Sequence, residues 1–324
     1  MVAAPTRLGR VLPAADTDGA VGAGTDSQSL PHDMTVPIRP LTFRELLDLP
    51  FALVQPDIGR LAGFAGILLV VGEVAVVGVT GAVSWLTDGS DAGTALAAIL
   101  TTICAAWLLR FVLRGVCTAI GLARVFAEPI GWRTAVTRFG TRWRPLLLFQ
   151  TLFTLVGVGV LLIGIPLAFI GPLGLVWLGW LRAKRFIAVP IIMAEGLPGR
   201  AAMDRAHLLD RDVLWARTSL WICQRLLLGL LTIPLLAIPW FISDISGTHR
   251  WAFTALLSSA ALLLVAFGEI VEAAGRVVCY IDSRCRREGL DIRVPGFSPG
   301  GRPTDVGEPG PTGFPAAEPF GGRC

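Results

Sequence analysis

The residues able to do chemistry in this chain are few, and the most telling ones sit inside apolar runs. Glu73 lies 13 residues after Arg60 and 15 before Asp88, near the middle of one such run. A second run, 172–193, holds Arg182, Lys184 and Arg185. Ending that run before Arg182 leaves only about ten apolar residues after Pro172, too few to cross a hydrocarbon core. Carrying it on to Met193 puts the three cations near mid-depth, where charge costs several kcal/mol unless paired or hydrated. The sharper expectation is that Glu73 pairs with one of these cations and lines a polar cavity open to the cytoplasm. Two plainer alternatives are an uncharged Glu73 facing another helix and a bilayer thinned locally around the second run.

Other charges lie closer to span ends. Arg110, Arg114 and Arg225 are placed to snorkel towards headgroups. Glu269, Glu272 and Arg276 fall where the last run emerges, with Glu272 and Arg276 spaced as an i,i+4 pair. Interfacial anchoring accounts for all six.

Catalytic patterns are missing. Of three histidines, His32 and His207 belong to one side of the membrane and His249 to the other, so no three-histidine metal site can assemble. There is no H-E-x-x-H, G-x-S-x-G or phosphate-binding loop, and no G-x-G-x-x-G after a strand. Six cysteines (Cys104, Cys117, Cys223, Cys279, Cys285, Cys324) show no metal spacing and read as packing residues. The expectation is no enzyme, no catalytic residue, no metal and no cofactor.

These residues must be positioned by membrane-crossing helices. The chain is 53% hydrophobic and only 16% charged, whereas soluble domains carry nearer a quarter charged residues. The apolar excess is gathered into runs of about 20, the length that spans a bilayer core. The predicted fold is an all-α membrane protein: six transmembrane helices with short amphipathic cytoplasmic helices. Spans are placed at about 61–86, 94–114, 146–167, 172–193, 223–243 and 251–271. The gaps at 87–93, 168–171 and 244–250 hold one basic residue, Arg250; the opposite segments and tail hold the arginine excess. Such asymmetry places both termini in the cytoplasm, in a bacterial inner membrane. Trp85, Trp240 and Trp251 at outer ends and Trp107, Trp143 and Trp221 at inner ends fit an aromatic belt. Glycines such as Gly157 and Gly159 suit close helix contact.

Flanking segments complete the plan. Residues 1–35 read as a disordered arm, with Met34 standing as a candidate true start. Residues 36–60 form an amphipathic lead-in helix, opened by a Thr42/Glu45 capping box and bent or broken at Pro50. It either lies on the membrane surface or packs under the bundle. Residues 61–282 form the six-span domain. Within it, Ala202, Ala206, Leu209 and Val213 mark an inner amphipathic helix over 201–214, and 130–143 follows the same pattern. Residues 283–324 read as a disordered, basic, then Pro/Gly-rich, cytoplasmic tail.

Three stretches resemble a family of actinobacterial integral membrane proteins related to the membrane domain of some glycerophosphodiester phosphodiesterases. They are Arg39 to Asp48, Phe186 through Glu195 to Arg205, and Tyr280 to Asp291. In the third, Tyr280, Asp282, Arg284, Arg286, Arg287, Glu288 and Asp291 form an interfacial motif. One departure is Ala206, where the family pattern implies Ser. The 33 residues after Asp291 are too few for a catalytic domain, so the resemblance implies a stand-alone membrane module of unassigned role.

The leading functional expectation is a non-enzymatic scaffold or accessory module for a membrane complex. The alternative is a transporter or lipid-handling protein that uses the mid-membrane charges. Expected partners are the bilayer, anionic lipids beside the basic flanks and a membrane protein. Nucleic acid is not expected, because topology explains the arginines.

Overall fold

The capping box at the start of the described chain sets the first helix as its spacing predicts. In the computed structural model, which describes residues 37–289 apart from 127, 129, 165–170 and 247–249, helix α1 runs Phe43–Val54. Thr42 Oγ1 accepts the Glu45 amide at 3.4 Å, and the Glu45 carboxylate accepts the Thr42 amide at 2.8 Å. Pro50 stands within this helix rather than ending it; the break comes at a 3-10 turn over Gln55–Asp57. Leu46 and Leu53 of α1 are buried while Phe43 and Phe51 stay exposed, so one face packs under the bundle.

The remaining helices are α2 (Ile58–Leu86), α3 (Asp91–Val125), α4 (Trp132–Gly164), α5 (Gly171–Ala183), α6 (Ala188–Ala194), α7 (Gly199–Asp210), α8 (Leu214–Ser246) and α9 (Arg250–Glu288). No strand occurs among the described residues. A tight turn joins α2 to α3, with Gly89 at φ +78° and Asp88 at φ +49°, a backbone region glycine enters at little cost. Ser90 caps α3 by accepting the Gly93 amide at 3.4 Å.

Five helical stretches are long and apolar enough to cross a membrane: Phe43–Leu86, Asp91–Val125, Trp132–Val160, Leu214–Ile238 and Trp251–Glu288. The run expected as a fourth span, 172–193, is not one helix. It divides into α5, of 13 residues, and α6, of 7, around a turn at 184–187. At 1.5 Å per residue, α5 reaches about 20 Å, short of a core of about 30 Å. The segment 130–143, expected as a separate inner helix, instead continues into α4 through Pro145. The inner helix expected over 201–214 ends at Asp210, and Val213 lies in the turn before α8. Residues 283–288, expected in a disordered tail, are the last turns of α9. The expected arm at 1–35 and the tail beyond 289 lie outside the described residues.

The long helices behave differently at their two ends. With 39 residues, α9 is about 58 Å long, nearly twice the thickness of a hydrocarbon core. Its first half exposes Trp251, Leu256, Leu263 and Phe267, whereas Val271 to Ser283 is buried. Helix α3 repeats the pattern, exposing Leu96, Ile99, Leu100 and Ile103 and burying Leu113 to Ala123. Exposed leucines and valines on α2, α4 and α8 complete an apolar band around the open end. At the other, packed end, the inner halves of α3 and α9 close with α1, α6 and α7 around Ile187, Ile191, Leu220, Val277 and Ile281.

Small residues decide how closely helices approach. A Cβ added at Gly115 of α3 would come within 2.1 Å of the Phe139 ring on α4. Gly157 lies beside Arg182, whereas a Cβ added at Gly159 would meet no described atom within 4 Å. Trp221, expected in the inner aromatic belt, is buried in the packed end instead.

Candidate functional site

Three helices bring charge together where the apolar band meets the packed end. Arg110 and Arg114 stand one turn apart on α3, and Glu269, Glu272 and Arg276 share a face of α9. Arg225 of α8 approaches from the other side. Glu269 accepts from Arg114 Nε at 2.7 Å, Arg110 Nε at 3.0 Å and Arg276 Nη1 at 3.0 Å. Glu272 pairs with Arg276 and Arg225, and its carboxylate lies 3.6 Å from Arg110 Nη2. Gln150 of α4 accepts from Arg114. Glu269, Glu272, Arg114 and Arg276 are buried, while the Arg110 and Arg225 side chains keep 29% and 27% of their surface. Such pairing is what allows ionised groups to sit in a poorly hydrated place, since a buried charge without a partner is strongly disfavoured.

Arg110 and Arg225 line a cavity of about 220 Å³ between α3, α8 and α9, whose other walls include Leu228, Leu264 and Val265. In sequence these charged residues read as anchors at span ends, with only Glu272 and Arg276 joined as an i,i+4 pair. The signal that could have joined them is depth. Each group lies at the end of its apolar run nearer the packed end of the molecule, and Glu269, Glu272 and Arg276 occupy one helix face.

Glu73 does not meet the cations of the fourth run. Ser258 Oγ of α9 donates to Glu73 Oε1 at 2.7 Å, and Glu73 Oε2 is buried without a hydrogen-bond partner among the described residues. The reason lies in packing: α2 rests chiefly on α3 and α9, whereas α5 rests on α8 and α4. Arg182 instead lies 4.2 Å from the Phe153 ring centroid and 6.0 Å from that of Trp221. Lys184 sits 3.3 Å over the Trp180 ring. Arg185 and Arg182 line a small cleft beside Glu272 and Arg276, at the edge of the network. Arg182 and Arg185 therefore approach the α9 carboxylate Glu272 rather than Glu73, and Lys184 stays over Trp180.

The C-terminal motif residues are drawn inward. Asp282, buried, accepts the Leu41 amide at 2.8 Å, Arg217 Nη2 at 2.8 Å and Arg286 Nε at 2.9 Å. Arg286 returns a bond to the Leu41 carbonyl at 2.5 Å. Tyr280 donates to Glu195 at 3.0 Å and accepts from Arg284 at 3.3 Å. Arg284 also bonds Glu288 at 2.8 Å, and Glu288 pairs with Arg205. Arg287 meets the exposed Asp212 at 2.5 Å. Asp291 lies outside the described residues.

Arg217 and Asp210 were not singled out in sequence, yet both are fully buried here. Arg217 Nη2 also donates to the Cys279 carbonyl and to Ser283, and Ser283 donates to Asp210 at 2.6 Å. Burial pushes the Asp210 carboxyl above the ordinary aspartate range, opposed by the Arg217 charge and the Ser283 bond. The Leu41, Glu195–Arg205 and Tyr280–Glu288 stretches, far apart in sequence, are thus tied into one polar lattice.

Among the described residues no His, Cys, Asp and Glu side chains gather as a metal-binding group, and the described cysteines form no disulfide. No protein-family model, curated protein or solved structure matches the chain, so its function is read from this geometry alone.

Proposed function

We infer that the protein is a non-enzymatic accessory module of a bacterial cell membrane, presenting a rigid cytoplasmic face to a membrane-protein partner. Six crossings with both termini inside fit the arginine distribution, the fourth being completed by α5, its turn and α6. The observation that carries the reading is the packed end. There, segments separated by up to 245 positions, such as Leu41 and Arg286, are hydrogen-bonded into one body. That order is suited to displaying a fixed surface, and Leu208 and Trp215 stand on it 62% and 68% exposed. The meeting of the three stretches that carry the family resemblance supports treating them as one module. Transport through Glu73 and the fourth-run cations has less support, because Glu73 bonds Ser258 and the cations lie elsewhere.

Co-purification from native membranes in mild detergent tests this reading. A stoichiometric membrane protein should accompany the full chain and be lost in Trp215→Ser with thermal stability unchanged. A chain that purifies alone from its own membranes, or a partner indifferent to Trp215→Ser, would sink the idea.

A further inference from the structure

Among the described residues the charge network does not balance, and its surplus faces the cavity. Arg110, Arg114, Arg225 and Arg276 share two carboxylates, Glu269 and Glu272. Both oxygens of Glu269 are occupied, by Arg114 and Arg276 on one and by Arg110 and Arg114 on the other. That carboxylate therefore offers the cavity little free negative charge. Arg114 and Arg276 are sealed in, so the excess positive charge is presented by the partly exposed pair, Arg110 and Arg225.

Besides those two guanidiniums, Glu269 and Gly268, the rest of the lining is Leu228, Leu264, Val265 and Thr232, whose hydroxyl is spent on the Leu228 carbonyl at 2.7 Å. Their neighbours Leu227, Leu231, Leu263 and Phe267 are 54%, 43%, 49% and 43% exposed, on the band suited to hydrocarbon. The cavity thus has a cationic end at the depth where an apolar band gives way to charge, and a greasy end continuous with that band. Guanidinium forks match phosphate oxygens, and charge at this depth is costly without a counterion.

We propose that this cavity is a binding site for the phosphate of an anionic phospholipid. Arg110 and Arg225 hold the headgroup, and Leu228, Leu264 and Val265 hold the first methylenes of an acyl chain. The proposal goes beyond the accessory reading and does not depend on a protein partner.

The test uses the purified full chain in nanodiscs of phosphatidylcholine with increasing phosphatidylglycerol, counting retained lipid by native mass spectrometry. Phosphatidylglycerol should be retained in preference to phosphatidylcholine. Arg225→Gln, which leaves Glu272 bonded to Arg276, should weaken that preference about tenfold, the scale of one charged hydrogen bond. Val265→Phe fills the apolar wall without touching charge and should abolish retention, so the test survives if Arg225→Gln fails to fold. Arg44→Gln, on the exposed face of α1, should change nothing. Equal retention of the two lipids, or equal loss in Arg44→Gln, would overturn the site. Millimolar inorganic phosphate that displaces the lipid, and still binds Val265→Phe, would overturn the lipid assignment in favour of a soluble anion.

Discussion

Arg217 has no exposed surface and holds two carboxylates, Asp282 at 2.8 Å and Asp210 at 3.5 Å. Replacing it by Met leaves Asp210 in the packed core without its cation and Asp282 with Arg286 alone, and breaking a buried pair from one side costs about 3–5 kcal/mol. The expected result for Arg217→Met is a large fall in thermal midpoint in detergent. Arg287→Gln, which loses only the pair with the 73%-exposed Asp212, should cost about 1 kcal/mol or less. At this scale the sequence was only half legible. The Glu272–Arg276 pair followed from i,i+4 spacing alone, because both partners lie on one helix. Arg217 with Asp282 is a contact across 65 positions, and no local pattern announces it. Glu73 lies deep in an apolar run, but its partner is a serine, whose hydroxyl gives no charge signal to search for.

Helices were easier to read where their pattern is local. The Thr42/Glu45 box and the inner face of Ala202, Ala206 and Leu209 appear as their spacing implies. Lengths were misjudged because hydropathy marks where a helix is apolar, not where it stops. Helices α3 and α9 continue past their apolar runs into the packed end, where they are buried in protein, while α4 begins well before its run with residues 132–145 mostly exposed. The fourth run failed in the opposite sense. Three cations within four positions, Arg182 to Arg185, mark a turn rather than the middle of a crossing helix. Contact between α3 and α4 rests on Gly115, where an added methyl would overlap the Phe139 ring. Gly115→Ala should therefore destabilise by about 1–3 kcal/mol, the usual cost of overpacking. Trimming the ring in Gly115→Ala/Phe139→Leu should recover much of that loss. Equal thermal midpoints for the single and double variants would show that this contact is not limiting.

For the molecule as a whole, an all-helical chain with several membrane-length helices was visible from composition and run length, because hydrocarbon thickness sets both. The division into an open apolar end and a packed end was not, since it depends on which halves of long helices share neighbours. The proposed arrangement has both termini on the packed side and the α2–α3 turn on the other. Single-cysteine labelling in a cysteine-free background should show Asp88→Cys reactive only from outside intact cells and Arg211→Cys only from inside. Reaction of both from the same side would reject the arrangement. The division of the fourth run has a consequence for biogenesis. A 13-residue helix ending in cations is a poor candidate for independent partitioning into lipid by the insertion machinery. Its principal neighbour is α8, which begins at Leu214 and is synthesised later. On the proposed topology the surroundings of α5 are complete only once α8 has been synthesised.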